Sequence, residues 1–213
     1  NVLKQFLGRQ EGVLSWKLDG LTVVLTYEKG KLTKAVTRGN GIIGELITNN
    51  VKCFSNLPLT LQTTYDIIAI RGEAIITYKQ FDEINSEMTN PYKNPRNLCS
   101  GTIRQLDNRV VKERGVKFIA FEMVTPEMGT ISESFEFLKE QGFDVVGHQI
   151  ATAESFEKIF DSFKSRFYDE ECKMDIPTDG LVLRYNDYQY GESLGRTDKF
   201  PKHSLAFKWE DET

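Results

Sequence analysis

The sequence predicts an α+β fold built mostly from antiparallel sheets that are flanked by helices. Hairpin-like strands come first, and strands and helices then follow one another without a regular βαβ order. No repeat, low-complexity tract or proline-rich linker divides the 213 residues, a length that suits one to one and a half domains. We therefore expect one domain over 1–213, with residues 1–12 as a helical tail that continues from a preceding region.

The first elements are a short helix and a hairpin. Residues 2–9 are predicted to be helical, and Leu14–Tyr27 is predicted to be a strand because polar and apolar residues alternate along much of it. Glu28-Lys29-Gly30 has the composition of a tight turn, and the alternation resumes over Lys31–Arg38. An antiparallel hairpin over 21–38 follows from this pattern.

The rest of the chain mixes strands and helices. Strands are predicted over 67–73, 116–124, 144–150, 181–185 and 204–209, and helices over 45–51, 78–88, 132–141 and 154–167. The Asn90-Pro91 pair stops the second of these helices, because a residue before proline disfavours the helical conformation. The segment 94–114 is polar and basic and receives no helix or strand, and a looped or short helical stretch separates the last two strands.

Composition excludes several classes of protein. Lys and Arg number 27 against 31 Asp and Glu, a net charge of −4, so any site for a polyanion must be local. Apolar runs such as Ile67–Ile70 are far shorter than the roughly 20 residues that span a bilayer, so we expect no membrane partner. The 3 cysteines, Cys53, Cys99 and Cys172, are widely spaced, which favours reduced packing thiols in a cytoplasmic protein over a zinc site.

A glycine-rich stretch, Gly39-Asn40-Gly41-Ile42-Ile43-Gly44, fits the GxGxxG pattern. A dinucleotide-binding fold would place a buried apolar strand before it, whereas the strand 31–38 is polar and paired in a hairpin. A protein kinase would also need HRD and DFG sequences, and the chain contains neither. We interpret this stretch as a turn.

Charged residues recur at the ends of apolar strands. The instances are Lys17-Leu18-Asp19-Gly20, Arg71-Gly72-Glu73, Asp179-Gly180 followed by Arg184, and Ala206-Phe207-Lys208. A lone charge in such a place is costly to bury, so we expect these groups to meet one another or a ligand in a cleft.

This series of motifs resembles the nucleotidyltransferase (adenylation) domain of bacterial NAD-dependent DNA ligases, from about Leu14 to Trp209. The matching motifs also include Arg38-Gly39-Asn40-Gly41 with Gly44-Glu45, Asn94-Pro95-Arg96-Asn97 and Arg104-Gln105-Leu106-Asp107. The block 94–107 is the most diagnostic, because ATP-dependent ligases and capping enzymes share the KxDG motif but not this block. The resemblance implies the ATP-grasp-like nucleotidyltransferase fold of the covalent ligases, in a fragment of a longer ligase.

The resemblance implies covalent chemistry at Lys17, within the motif that also contains Asp19. The lysine at this position attacks the α-phosphate of NAD, expels nicotinamide mononucleotide and forms lysyl-AMP, and the AMP then passes to the 5′-phosphate of nicked DNA. The attacking amine must be neutral, and neighbouring cations favour the neutral form. Arg38, Arg184 and Lys208 are the expected cations, and Lys208 matches the motif V lysine that acts on the α-phosphate.

The remaining site residues are also implied by the resemblance. Glu73 matches the glutamate that holds the ribose, Asp179 the acidic residue of motif IV, and Ser15 a position close to the adenine. Phe121 is expected to stack on the adenine, and the alternative is an ordinary core aromatic. Mg²⁺ is implied by phosphoryl transfer, although no set of ligands can be read from the sequence.

A local basic segment suggests a DNA contact in an acidic chain. Residues 96–114 contain 5 cations against Asp107 and Glu113, a net +3. We expect Arg96, Arg104 and Arg109 to contact phosphates of nicked double-stranded DNA. The alternative is a solvated face with a few ion pairs.

Several positions depart from the family pattern. Ser15 replaces a glutamate, Asn40 and Leu46 replace aspartates, Arg184 replaces the motif IV lysine, and Glu210 follows Trp209 where a proline is usual. Lysine and arginine make different contacts in a tight site, so these changes suggest a divergent member that is a secondary ligase of its host.

Two alternatives therefore stay open beside the NAD-dependent enzyme: a catalytically degenerate module that binds adenylate or DNA, and an ATP-dependent polynucleotide ligase. We expect a monomer without an obligate protein partner. We also expect the isolated domain to bind the adenosine half of NAD but to react poorly with NAD by itself.

Overall fold

The structure, a computed structural model, describes residues 2–38, 44–169, 174–195 and 203–209. Most of the predicted glycine-rich turn, including Asn40, lies outside the described residues, as do Cys172 and Glu210. No helix in the described part of the chain is long and apolar enough to cross a membrane.

The described residues form a mixed α+β fold. The helices are α1 (Val2–Leu7), α2 (Thr48–Val51), α3 (Tyr78–Ser86), α4 (Pro95–Ile103), α5 (Asn108–Arg114), α6 (Ile131–Glu140), α7 (Phe156–Phe167) and α8 (Tyr188–Ser193). The strands are β1 (Gly12–Leu18), β2 (Leu21–Glu28), β3 (Lys31–Arg38), β4 (Ile67–Ile75), β5 (Lys117–Thr125), β6 (Asp144–Val145), β7 (His148–Ala151), β8 (Thr178–Tyr185) and β9 (Ser204–Lys208).

The strands form two sheets. The first sheet has 4 strands in the order β7-β1-β8-β9, and the second has 5 in the order β3-β2-β4-β5-β6. Every pairing is antiparallel except the one between β5 and the short β6. The predicted fold class and the predicted hairpin, which is β2 and β3, are confirmed.

The prediction of one strand over Leu14–Tyr27 was wrong, because the chain changes sheets at Asp19-Gly20. β1 belongs to the first sheet and β2 to the second. Gly20 passes so close to β4 that an added Cβ would lie 2.2 Å from the backbone oxygen of Ala74. A side chain does not fit there, so glycine permits the crossing immediately after Lys17.

The predicted strand 144–150 is divided in the same way. β6 pairs with β5 in the second sheet, and β7 pairs with β1 in the first. Between them, the carbonyl of Gly147 accepts a hydrogen bond from the backbone N–H of Trp16 (3.1 Å). The two sheets are therefore joined twice.

The basic segment 94–114 contains two helices that the sequence analysis missed. Asn94 caps α4 by accepting from the N–H of Asn97, and Pro95 occupies the first turn. Asp107 caps α5 by accepting from the N–H of Arg109. These caps are legible in the sequence, but helices of 9 and 7 residues show little periodicity.

Two other predicted helices differ from the structure. The helix expected over 45–51 is limited to α2, because Leu46 pairs as an isolated bridge with Val36 at the edge of the second sheet. The predicted N-terminal helix is α1, and it packs into the domain, since Leu3 and Leu7 are buried in the core and Phe6 stacks on Tyr185 of β8 at 4.3 Å.

Candidate active site

A cleft of about 580 Å³ is lined by residues from both sheets. Nine of the predicted site residues line it: Ser15, Lys17, Asp19, Glu73, Arg96, Phe121, Asp179, Arg184 and Lys208. The other three, Arg38, Arg104 and Arg109, are not part of this lining. The change of sheet after Lys17 explains the convergence, because it places the end of β1 beside β2 and β4.

Lys17 forms an ion pair with Asp179 on the neighbouring strand β8. Its Nζ lies 3.1 Å from Oδ1 and 3.2 Å from Oδ2 of Asp179. The two side chains are 30% and 32% exposed, so a ligand in the cleft can reach the amine. Asp179 thus fixes the direction of the Lys17 side chain.

Lys208 shares a sheet face with Lys17. Gly180 of β8 lies opposite Lys17 on β1 and opposite Lys208 on β9. Residues that face each other across antiparallel strands project to the same side, so two ammonium groups flank a position without a side chain. This arrangement suits an anionic group such as a phosphate.

The Gly180→Ala variant is expected to lose about 3 kcal/mol or more of unfolding free energy, because an added Cβ would lie 1.9 Å from the carbonyl oxygen of Phe207. That oxygen is backbone, so β9 must shift, and Lys208 shifts with it. Urea unfolding measures the loss. Gly129→Ala is the matched control, because its Cβ would meet nothing closer than Glu133 at 3.5 Å. Equal stability of the two variants would contradict the packing described for Gly180.

Glu73 is a buried carboxyl beneath the turn that follows Lys17. Only 7% of the residue is exposed. Its Oε2 accepts from the N–H of Gly20 (3.0 Å), and its Oε1 accepts from the hydroxyl of Thr22. Burial raises the pKa of Glu73 to about 7, although the bonds from Thr22 and Gly20 and the charge of Lys17 oppose the rise. Glu73 therefore ties β4 to the turn that positions Lys17.

Arg38 is the last residue of β3 and does not line the cleft. It lies opposite Thr22 on β2, and Thr22 lies opposite Glu73 on β4. The three side chains therefore share one face of the second sheet, and Arg38 is exposed. Its expected action on a phosphate stays a prediction.

Phe121, Ser15 and Arg184 also line the cleft. Phe121 is half-buried and lines the cleft, while it also packs against the core. Ser15 is buried on β1. Arg184 lies opposite Val13, 4 residues before Lys17, which corresponds to about 13 Å along a strand. Burial lowers the pKa of Arg184.

The cleft wall contains an ion pair that was not predicted from the sequence. Arg71 Nη1 lies 2.7 Å from Glu122 Oε2, and both side chains are about one quarter exposed. Arg71 precedes Glu73 by two positions on β4, so strand alternation places both on the same face. That signal was present in the Arg71-Gly72-Glu73 motif.

Arg96 connects α4 to the Lys17 motif. Its Nη1 lies 3.0 Å from Oδ1 of Asp19, and its side chain is half exposed. Because Asp19 directly follows β1, this contact brings the first turn of α4 to the mouth of the cleft. Arg96 is therefore the predicted DNA-contacting residue nearest to Lys17 in the structure's described part.

Arg104 and Arg109 lie outside the cleft and are also paired with carboxylates. Arg104 Nε is 3.3 Å from Glu45, and Arg109 Nη2 is 2.7 Å from Asp107. The bonds from Arg109 lower the pKa of Asp107. Both arginines keep large exposed fractions, so they can exchange these partners for another anion at little cost.

The described residues contain no group of three or more His, Cys, Asp or Glu side chains that could hold a metal ion. Mg²⁺ is usually held by one or two carboxylates together with substrate phosphates, so the expected ion would bind mainly through the nucleotide.

The family model for the NAD-dependent DNA ligase adenylation domain matches residues 2–212. A DNA ligase of Lachnoclostridium phytofermentans is 52% identical over 217 residues, which cover 99% of this chain and 32% of that protein. A DNA ligase of Ruminiclostridium cellulolyticum is 50% identical, with the same coverage. The chain thus spans about a third of the length of these curated relatives.

Two solved structures share the fold. An archaeal ATP-dependent RNA ligase superposes with a TM-score of 0.53 at 15% identity, covering 96% of this chain and 44% of that chain. A mycobacterial DNA ligase D complexed with ATP and MES gives 0.51 at 13% identity, covering 96% and 57%. Identities this low establish only that the fold is shared.

Proposed function

Because the chain belongs to the NAD-dependent DNA ligase adenylation domain family, we propose that its cleft transfers AMP from NAD to Lys17 and then to the 5′-phosphate of nicked DNA. One observation carries the proposal: Lys17 and Lys208 project from the same sheet face on either side of Gly180, at one end of a cleft large enough for a nucleotide. The relatives are about three times longer, so we infer that this chain is the adenylation part of a longer ligase.

In the first step, the Lys17 ammonium releases a proton to solvent, and the neutral amine attacks the α-phosphorus of NAD. The new N–P bond forms while the bond from that phosphorus to the bridging oxygen breaks, and nicotinamide mononucleotide leaves with the electron pair. Asp179 orients the amine, and Lys208 stabilises the negative charge that develops on the phosphoryl oxygens. Mg²⁺ bound to the phosphates would add charge neutralisation.

The adenosine half would lie along the cleft between the two sheets. Glu73 offers carboxylate oxygens to the ribose hydroxyls, and Phe121 offers a ring face to the base. Arg184 binds the backbone of Phe121 and lies opposite Val13, 4 residues along β1 from Lys17, and Ser15 lies between Val13 and Lys17. These distances suit the length of a nucleotide.

The second stage needs a DNA surface, for which Arg96, Arg104 and Arg109 are our candidates. Arg96 borders the cleft, Arg104 directly follows α4, and Arg109 lies in the first turn of α5. The relatives carry two thirds of their length outside the matched part, so we expect the isolated chain to bind adenosine but to react slowly with NAD. Action in the cytoplasm as a monomer is part of the same proposal.

The double variant Arg104→Ala/Arg109→Ala is expected to weaken binding of the longer ligase to nicked DNA roughly tenfold and to reduce the salt slope of log K by about two. Each arginine removed deletes one phosphate contact. Fluorescence anisotropy at several salt concentrations measures both effects. Lys139→Ala is the matched control, because Lys139 is an exposed cation that is also paired, with Glu136 on α6. An unchanged salt slope in the double variant would place the DNA surface elsewhere.

A comparison of NAD with ATP as the AMP donor distinguishes the two alternatives from the proposed function. A degenerate binding module is favoured by the substituted positions Ser15, Leu46 and Arg184, whereas the convergence of Lys17, Glu73 and Lys208 favours an enzyme. Labelled NAD and labelled ATP, offered in parallel to the longer protein, decide between them. Label from NAD alone supports the proposal, label from ATP alone supports an ATP-dependent ligase, and no label supports the module.

A further inference from the structure

Strand β5 is irregular where it passes the cleft. On β4, the neighbours Arg71 and Gly72 lie opposite Glu122 and Ala120, so the pairing skips Phe121. Phe121 is the extra residue of a β-bulge, and such a residue has no regular partner in the ladder. A bulge turns a side chain out of the regular alternation, and here the Phe121 ring lines the cleft.

The backbone carbonyl of Phe121 accepts a hydrogen bond from the other sheet. Nη2 of Arg184, on β8 in the first sheet, donates to the backbone oxygen of Phe121 at 2.8 Å. This hydrogen bond crosses between the two sheets and fixes the backbone at the bulge. A charged donor makes it stronger than an ordinary hydrogen bond between neutral groups.

The environment of Arg184 makes this contact its main anchor. The residue is 8% exposed, and its guanidinium lies 5.8 Å from the centroid of the Phe135 ring. Within the described residues, its Nε has no hydrogen-bond partner. The carboxylate of Glu122 attracts Arg184, but its ion pair is with Arg71. Removing the Phe121 contact would therefore leave a buried cation with few partners.

Arg184 is also badly placed to act on a phosphate held at Lys17. Its strand partner Val13 precedes Lys17 by 4 residues, which corresponds to about 13 Å. One N–H group of the side chain donates to the backbone of Phe121 on the opposite sheet and does not point to the Lys17 end of the cleft.

We propose that Arg184 is a positioning residue that clamps the Phe121 bulge across the cleft and so holds the aromatic ring as a rigid wall against the nucleobase. The inference rests on the proposed function, because it assigns the base to the Phe121 end. A lysine could not reproduce the clamp, since its single ammonium lacks the extended, planar fork of donors. The bond to the bulge therefore requires an arginine at this position, and a positive charge alone is not sufficient.

A double-mutant cycle tests the clamp. AMP affinity is measured by calorimetry for the unmodified longer protein, Arg184→Lys, Phe121→Leu and the double variant. Each single change is expected to weaken AMP binding about tenfold, the size of a lost base–aromatic stack. The double variant is expected to be no more than about twofold weaker than either single variant, because both changes remove the same wall.

Val182→Ala is the matched control, since Val182 lines the cleft from the same face of β8 without binding the bulge. Its effect should simply add to that of Phe121→Leu. Inorganic pyrophosphate, which probes only the phosphate end, should bind Arg184→Lys as well as it binds the unmodified protein.

Fluorine NMR of 4-fluorophenylalanine placed at position 121 reports the mobility of the ring directly. A sharp signal that broadens in Arg184→Lys supports the clamp even where AMP affinity is too low to measure. Additive losses in the cycle together with an unchanged fluorine signal would overturn the inference and leave the proposed function intact. Failure of the unmodified protein to bind AMP would overturn both.

Discussion

Replacing Lys17 with alanine is expected to abolish the transfer of AMP to the protein, with a loss of at least about 10⁴-fold in rate. The amine nitrogen forms the new bond to phosphorus. Among the described residues, Lys208 is the one other lysine that lines the cleft. Lys208 is two strands away, across Gly180. Label transferred from NAD to the longer protein measures the loss.

The variant should remain folded. The Lys17–Asp179 pair is about one third exposed at each side chain, and such pairs contribute at most about 1 kcal/mol. Lys17→Arg should fail as completely as Lys17→Ala, because a guanidinium stays protonated. Lys34→Ala, which removes an exposed lysine from β3, is the matched control and should be fully active. Residual labelling of Lys17→Ala near the unmodified level would remove Lys17 from the chemistry.

Replacing Glu73 is expected to have the second largest effect. Glu73→Ala leaves the N–H of Gly20 and the hydroxyl of Thr22 without their acceptor, and each such loss costs about 1–3 kcal/mol. The turn that positions Lys17 then loosens, so we expect AMP transfer to fall by about 100-fold or more. Glu73→Gln keeps one acceptor oxygen and should lose less. Equal activity of Glu73→Ala and the unmodified protein would refute the positioning role.

The same carboxyl predicts a pH dependence of stability. Burial raises its pKa from 4.5 to about 7 in the folded protein. Between these values the folded state retains a proton that the unfolded state has released, so the unfolding free energy falls as the pH rises. The contribution is up to about 3 kcal/mol, present below pH 4.5 and lost above pH 7. Urea unfolding across this window should show a smaller decline in Glu73→Gln, and an identical decline would contradict the assignment.

Much of the site was predictable because charged residues at strand ends are conspicuous in an apolar context. Lys17, Glu73, Asp179 and Lys208 were expected to meet, and all four line the cleft. Their chemical types and their places at strand ends carry this information locally. The hairpin of β2 and β3 was equally accessible, because its alternation and its turn are continuous in sequence.

What the sequence left undetermined depends on partners far along the chain. Gly20 gave no sign that it ends one strand and begins another, because its closeness to Ala74 exists only after folding. Gly147 divides β6 from β7 in the same manner. The bulge at Phe121 and its bond to Arg184 join positions 63 residues apart, which no local periodicity reveals.

The arginines of the basic segment show a second reason why the site could not be fully predicted from the sequence. The net charge of the segment predicted a basic surface, whereas the structure pairs Arg96, Arg104 and Arg109 with carboxylates. Two of these carboxylates, on Asp19 and Glu45, come from distant parts of the chain. The net charge of a segment therefore does not show how many of its cations are already paired with carboxylates elsewhere in the chain.

Mass spectrometry that locates the AMP group tests the role of Lys17 as the nucleophile most directly. The longer protein is incubated with NAD and Mg²⁺, digested, and its peptides are sequenced. We expect a single AMP group on the Nζ atom of Lys17, absent when NAD is omitted. An AMP group on another residue, or a protein that remains unmodified after incubation with NAD, would contradict it.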